Sequence, residues 1–124
     1  MLKKVKKILL KKNKTPLVCL TSYSKAFSRI IDKYCDIILV GDSVANVLYG
    51  HKNTHKITLT NIIQHSLSVK QGIKKSLFVV DMPKGTYANS NAAIKNSKLV
   101  IKRTRCDAIK IESNKKNFKI IQNL

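Results

Sequence analysis

Apolar residues are arranged along this chain in two alternating rhythms. Four short runs are continuously apolar or nearly so: Leu17-Val18-Cys19-Leu20, Ile37-Ile38-Leu39-Val40, Leu77-Phe78-Val79-Val80 and Ala108-Ile109-Lys110-Ile111. Between them lie longer stretches in which apolar side chains recur every three or four positions. The runs read as buried strands and the spaced stretches as amphipathic helices. The pattern predicts strands over 17–21, 36–41, 76–80 and 107–111. It predicts helices from Ser24 to about Tyr34, from Thr58 or Thr60 to about Gly72, from Asn89 or Ser90 to about Arg105, and from Lys115 onward. Ser, Thr and Asn are good N-caps, and Gly72 is a natural stop. Ala26, Phe27, Ile30 and Ile31 mark one face of the first of these helices. Ile62, Ile63, Leu67 and Val69 mark the buried side of the second, and Ala92, Ala93, Leu99, Val100 and Ile101 belong to the third.

Strand and helix thus alternate four times at intervals of roughly 30 residues, the length of a βα unit. Such an order builds an α/β fold with parallel strands and crossover helices. The segment after the first strand, Thr21-Ser22-Tyr23-Ser24, lacks a dinucleotide-binding glycine fingerprint, and no P-loop occurs. The expected fold is therefore the (βα)8 TIM-barrel type, with residues 1–124 forming one domain that covers about four βα units. Residues 1–14 carry seven Lys, with Leu2, Val5, Ile8 and Leu9 at helical spacing, and read as a basic helix packed on that domain.

Three of the apolar runs end on an acid: Asp42 after Gly41, Asp81 after Val80, and Glu112 after Ile111. The chain has only six Asp and Glu against 25 Lys and Arg, so half of its carboxylates stand at strand ends. One reading makes each acid a cap for the helix that follows. The other starts from parallel strands, whose ends gather at one mouth. Three carboxylates there repel one another unless a cation sits among them, and hard oxygen ligands suit Mg²⁺. Asp42, Asp81 and Glu112 are accordingly candidate metal ligands.

Composition narrows the partners. The formal charge of +19 suggests a polyanion, but 22 of the 25 basic residues are Lys, and the seven aromatics are not interleaved with them to stack bases. Lys, Asn and Ile make up 47 of the 124 residues, the signature of A+T-rich coding sequence, so the charge reads as solvated helix faces and no specific nucleic-acid partner is expected. Cys19, Cys35 and Cys106 are widely spaced, without a CxxC pair, and read as buried thiols in a reducing, cytoplasmic setting. No apolar stretch approaches a membrane span. The polar segment 42–56 is long for a βα connection and holds His51 and His55, whose loop context argues against a helical metal pair. His65 reads as structural.

Beyond these patterns, the chain resembles the ketopantoate hydroxymethyltransferase family. The resemblance rests on Val40-Gly41-Asp42-Ser43, Gly50-His51-Lys52-Asn53-Thr54 leading to Ile57-Thr58-Leu59, His65, Asp81-Met82-Pro83 with Gly85-Thr86-Tyr87, and Ile109-Lys110-Ile111-Glu112, in order from about Leu17 to Glu112. It implies a phosphoenolpyruvate/pyruvate-type barrel. It also implies transfer of a hydroxymethyl group from 5,10-methylenetetrahydrofolate to 3-methyl-2-oxobutanoate, giving 2-dehydropantoate for pantothenate and coenzyme A synthesis. By the same resemblance Asp42, Asp81 and Glu112 are Mg²⁺ ligands, and Asp42, Ser43, Asp81 and Lys110 contact the 2-oxo acid. The family's general base lies beyond Leu124, so this chain is expected to hold no catalytic residue of its own and to be weakly active or inactive alone. A homo-oligomer is expected of the full-length family.

Several positions depart from the family pattern: Ser24, Val44-Ala45, Lys84, and Ser113-Asn114 after the last ligand. Two other readings remain: another Mg²⁺-dependent 2-oxo acid enzyme of the same barrel superfamily, and a basic nucleic-acid-binding module.

Overall fold

The computed structural model describes residues 2–112, 114 and 117–124. Its elements run α1 (Leu2–Lys11), β1 (Cys19–Thr21), α2 (Lys25–Ile31), β2 (Ile37–Val40), α3 (Val44–Val47), α4 (Leu59–Lys70), β3 (Leu77–Asp81), α5 (Ser90–Thr104), β4 (Ala108–Lys110) and α6 (Phe118–Gln122). The four strands form one sheet in sequential order, and every neighbouring pair is parallel. Cys19 lies opposite Ile37, Ile37 opposite Leu77, and Asp81 opposite Lys110.

Local chemistry sets the helix starts. The Ser24 side chain accepts from the Phe27 N–H, Thr58 and Asn61 form a reciprocal capping box, and Asn89 accepts from the Ala92 N–H. Helix α4 packs on β2 and β3, with α2 and α5 on either side of it. On this side Ile38, Val40, Phe78 and Val80 are fully buried and meet Ile62, Val69 and Val100. Residues alternating with them on the other face of the sheet, Ile37, Leu39, Val79 and Ala108, are only half-buried.

The pattern-based expectations miss in five places. The first strand is shorter than 17–21 and is exposed throughout, because it pairs on one side only among the described residues. Cys19, on that strand, is consequently exposed, while Cys35 and Cys106 are buried. In α2, Phe27 and Ile30 point outward and Ser28 and Ile31 inward; Leu67, Leu99 and Ile101 are exposed as well. The expected loop 42–56 contains α3, a single turn whose Val44 and Ala45 are fully buried. The last helix begins at Phe118; of its expected start, Lys115 and Lys116 lie outside the described residues.

Helices α2 and α4 approach closely at Gly72. A Cβ there would stand 2.1 Å from Ser28 Oγ and 2.6 Å from the Lys25 carbonyl oxygen. The space is taken by a hydrogen bond, since Ser28 Oγ donates to the Lys25 and Val69 carbonyls. Contact this tight requires glycine.

The carboxylates away from the mouth hold the opposite end of the sheet together. Asp32, just past α2, accepts from the backbone N–H groups of Lys74, Lys75 and Ser76 before β3. Asp36, before β2, accepts from the Val18 N–H and from Lys11 Nζ at 2.6 Å. Asp107, before β4, accepts from the Phe78 N–H, and Lys4 Nζ donates to it and to the Ser76 carbonyl. Two lysines of α1 thus fasten that helix across the amino-terminal ends of β2, β3 and β4. Burial pushes the Asp32 carboxyl up, but the converging amides outweigh it and hold its pKa below the ordinary range. Among the described residues no helix is long and apolar enough to cross a membrane.

Two outcomes follow from this packing. Gly72→Ala is expected to lower stability by about 1–3 kcal/mol through overpacking, measured by urea denaturation. Asp32→Ala should cost about 2–4 kcal/mol at pH 7, because several amides lose a charged acceptor. The depressed pKa means that this contribution is complete above about pH 4 and is lost as pH falls through the folded-state value. Urea curves at several pH values should show the gap between the two proteins closing in acid.

Candidate functional site

Because the strands are parallel, their carboxyl ends share one edge, and the three acids expected there reach it. Asp42 follows β2, Asp81 ends β3, and Glu112 follows β4. All three line one cavity of about 400 Å³, together with Thr54, His55, Met82, Lys84 and Tyr87. They differ in environment. The Asp81 side chain is 5% exposed, whereas that of Glu112 is 72% exposed.

Asp81 is the electrostatic centre of this edge. Burial raises its pKa; Lys110 opposes the rise, and the negative charges of Asp42 and Glu112 add to it. Lys110, its register partner on β4, places Nζ 2.8 Å from Asp81 Oδ2 and 3.8 Å from Glu112 Oε1. Burial works against the Lys110 ammonium, but Asp81, Glu112 and Asp42 together hold its pKa above the usual lysine value. The cation that three neighbouring carboxylates demand is, in this arrangement, supplied by the chain itself. Asp81 Oδ1 is buried with no hydrogen-bond partner among the described residues.

Among the described residues no group of three or more His, Cys, Asp or Glu side chains stands together closely enough to hold a metal ion. The donor set fits Mg²⁺ in kind: Asp81, which keeps one buried carboxylate oxygen without a partner among the described residues, lines the same cavity as Asp42 and Glu112, and all three are hard oxygen donors. His51 and His55 fall outside any helix, and His55 Nε2 accepts from Lys84 Nζ at 3.2 Å.

Ser43 sits beside this edge in a network that pattern reasoning did not anticipate. Its Oγ shares a 2.7 Å hydrogen bond with Tyr23 Oη. His65 Nδ1 lies 2.9 Å from the Tyr23 carbonyl, which can only accept, so Nδ1 carries the proton and donates. Its Nε2 shares a 2.8 Å hydrogen bond with Tyr49 Oη. His65 thus ties the loop after β1 to the loop after α3. Gly41 leaves room for Ser43, since a Cβ there would stand 3.1 Å from Ser43 Oγ. Tyr87 is a second unanticipated neighbour; burial first, then Glu112 and Asp81, raise its pKa. Ser43 and Tyr87 stand in the motifs that carry the resemblance, but nothing in the sequence pattern signalled the Tyr23–Ser43 bond.

Parallel strands carrying a polar, carboxylate-lined cavity at their carboxyl ends define an α/β protein of the kind that takes small polar ligands at the strand mouth. Comparison with known proteins narrows this. The profile described as ketopantoate hydroxymethyltransferase matches residues 3–124. A 3-methyl-2-oxobutanoate hydroxymethyltransferase of Pelagibacter ubique (strain HTCC1062) is 52% identical over 122 residues, covering 98% of this chain and 48% of that protein. Proteins of the same name from Rhizobium etli and Chelativorans sp. (strain BNC1) are 44% and 40% identical; the matches cover 78% and 91% of this chain, but 36% and 41% of those proteins. The chain belongs to the ketopantoate hydroxymethyltransferase family. It spans about half the length, or less, of these relatives.

The Asp81–Lys110 pair sets a stability expectation. Lys110→Met should cost about 1–2 kcal/mol at pH 7, less than a fully buried pair because the lysine is partly solvated. Lys110→Arg should cost under about 0.5 kcal/mol, as a surface-range change. Thermal melts of the two variants against the parent chain read the difference.

Proposed function

We propose that this chain provides the metal- and substrate-holding half of a 3-methyl-2-oxobutanoate hydroxymethyltransferase, built as the first four units of a (βα)8 barrel. The observation that carries the reading is the common cavity of Asp42, Asp81 and Glu112 at the strand mouth, with Lys110 beside it, in a chain of this family. The barrel is supported by the sequential parallel order, by the half-buried inner face of the sheet, and by an apolar trough of about 890 Å³ beside β4, lined by Ile94, Ile101, Ile109, Ile111 and Ile121. A next strand and helix of the barrel would cover both.

The substrate is a branched 2-oxo acid, whose carboxylate and ketone oxygens form a chelating pair. Asp42, Asp81 and Glu112 would hold Mg²⁺, which when bound supplies Lewis-acid polarisation of the ketone. Lys110 would pair its ammonium with the substrate carboxylate. Ser43 Oγ, tied to Tyr23 Oη, would donate to a substrate oxygen when Tyr23 supplies the proton of their shared bond. Met82 and Tyr87 bound the cavity and restrict water near the reacting carbon. The proton leaves C3 to a carboxylate base from the second half of the barrel, and the one-carbon unit arrives from 5,10-methylenetetrahydrofolate.

The test pairs this chain with the remaining half of the Pelagibacter ubique relative and assays hydroxymethyl transfer with Mg²⁺. Turnover by the pair, at least about 10²-fold above this chain alone, is expected from the contribution of a general base. Comparable turnover by this chain alone would disprove the division of labour. Failure of the pair to bind 3-methyl-2-oxobutanoate would disprove the assignment.

A further inference from the structure

The mouth of the sheet contains a cation that sequence patterns place there for another purpose. Lys110 Nζ contacts Asp81 Oδ2 at 2.8 Å and lies 3.8 Å from Glu112 Oε1. The two ends of this contact are unequal in freedom. Asp81 closes β3, with its side chain 5% exposed, and is fixed by the sheet; the Lys110 side chain is 41% exposed on a flexible stem and can leave without disturbing the core. The contact is also incomplete, since Asp81 Oδ1 remains buried and unpartnered among the described residues. In this geometry the ammonium donates to Oδ2 alone, whereas a divalent ion can draw oxygens from several carboxylates at once.

We propose that Lys110 is the resident counter-cation of this site and is exchanged for the divalent metal, which takes over Asp81 and frees the ammonium to bind the anionic group of the substrate. The inference rests on the Mg²⁺ reading above and adds an order to it. Two cations cannot share Asp81 without strong repulsion, so metal entry and lysine release are one event. The released ammonium stays beside a mouth that has gained positive charge, where an anion is then held by both. Metal and substrate anion therefore bind with positive cooperativity, each raising the affinity of the other by the same factor.

The experiment uses Mn²⁺ as the probe, detected by electron paramagnetic resonance, with the full chain and without substrate. Lys110→Met should bind Mn²⁺ at least about 10-fold tighter than the parent, equivalent to about one decade in Kd. Lys110→Arg, which keeps the positive charge, should bind no tighter than the parent. Lys84→Met is the control for charge alone: Lys84 lines the same cavity but donates to His55 and pairs with no carboxylate among the described residues. An equal gain in Lys84→Met, or none in Lys110→Met, overturns the exchange. If both parent and Lys110→Met bind Mn²⁺ equally, only the exchange fails; if neither binds it, the metal reading fails too. A second readout needs no variant: Mg²⁺ titration of ¹⁵N-lysine-labelled chain should shift the Lys110 Nζ resonance as metal binds. A resonance unmoved by bound Mg²⁺ overturns the proposal even if Lys110→Met does not fold.

Discussion

The common direction of the four strands is the constraint on which this molecule depends. Parallel alignment places every strand start on one edge and every strand end on the other. Six carboxylates are thereby sorted into two groups of three with opposite duties. Asp32, Asp36 and Asp107 meet amide N–H groups at or near strand starts, where they close the turns that feed the sheet. Asp42, Asp81 and Glu112 stand at strand ends, where among the described residues no main-chain amides converge on their side chains. The first group is engaged by the fold; the second lines the cavity at the strand mouth.

Burial then ranks the second group. Phe78 and Val80 carry β3 through the densest part of the core, so Asp81 at its end inherits a position with little access to water. Glu112 follows the outermost strand, β4, and stays solvated. A buried carboxylate needs a compensating charge, and the parallel register supplies Lys110 directly opposite. One residue earlier or later on β4 would turn the lysine to the other face of the sheet. Register, more than residue type, makes the pair.

A similar dependence on neighbours governs the loops around the mouth. Ser43 is oriented by Tyr23, which is held in turn by His65 on α4; Lys84 is turned toward His55. Each contact joins segments distant in the chain. At position 84 the chain puts a cation on the cavity wall, which pairs with no carboxylate among the described residues.

Much of the architecture was legible in the chain itself. Apolar runs of strand length, spaced helices with Ser24, Thr58 and Asn89 as caps, and the acids at positions 42, 81 and 112 are local signals, because capping and periodicity act over a few residues. The ordered motifs were also sufficient for the family. What local pattern did not disclose was which side of each element is covered. Phe27, Ile30 and Leu67 have the spacing of core residues yet lie outside, Cys19 is exposed on an edge strand, and Val44 and Ala45 are buried in a segment read as loop. Only tertiary structure decided these, and only it joined Lys110 to Asp81 and Tyr23 to Ser43. The reason is physical: burial and pairing are properties of the partner surface, and parallel strands meet their partners across some thirty residues of intervening chain, beyond the reach of any local rhythm.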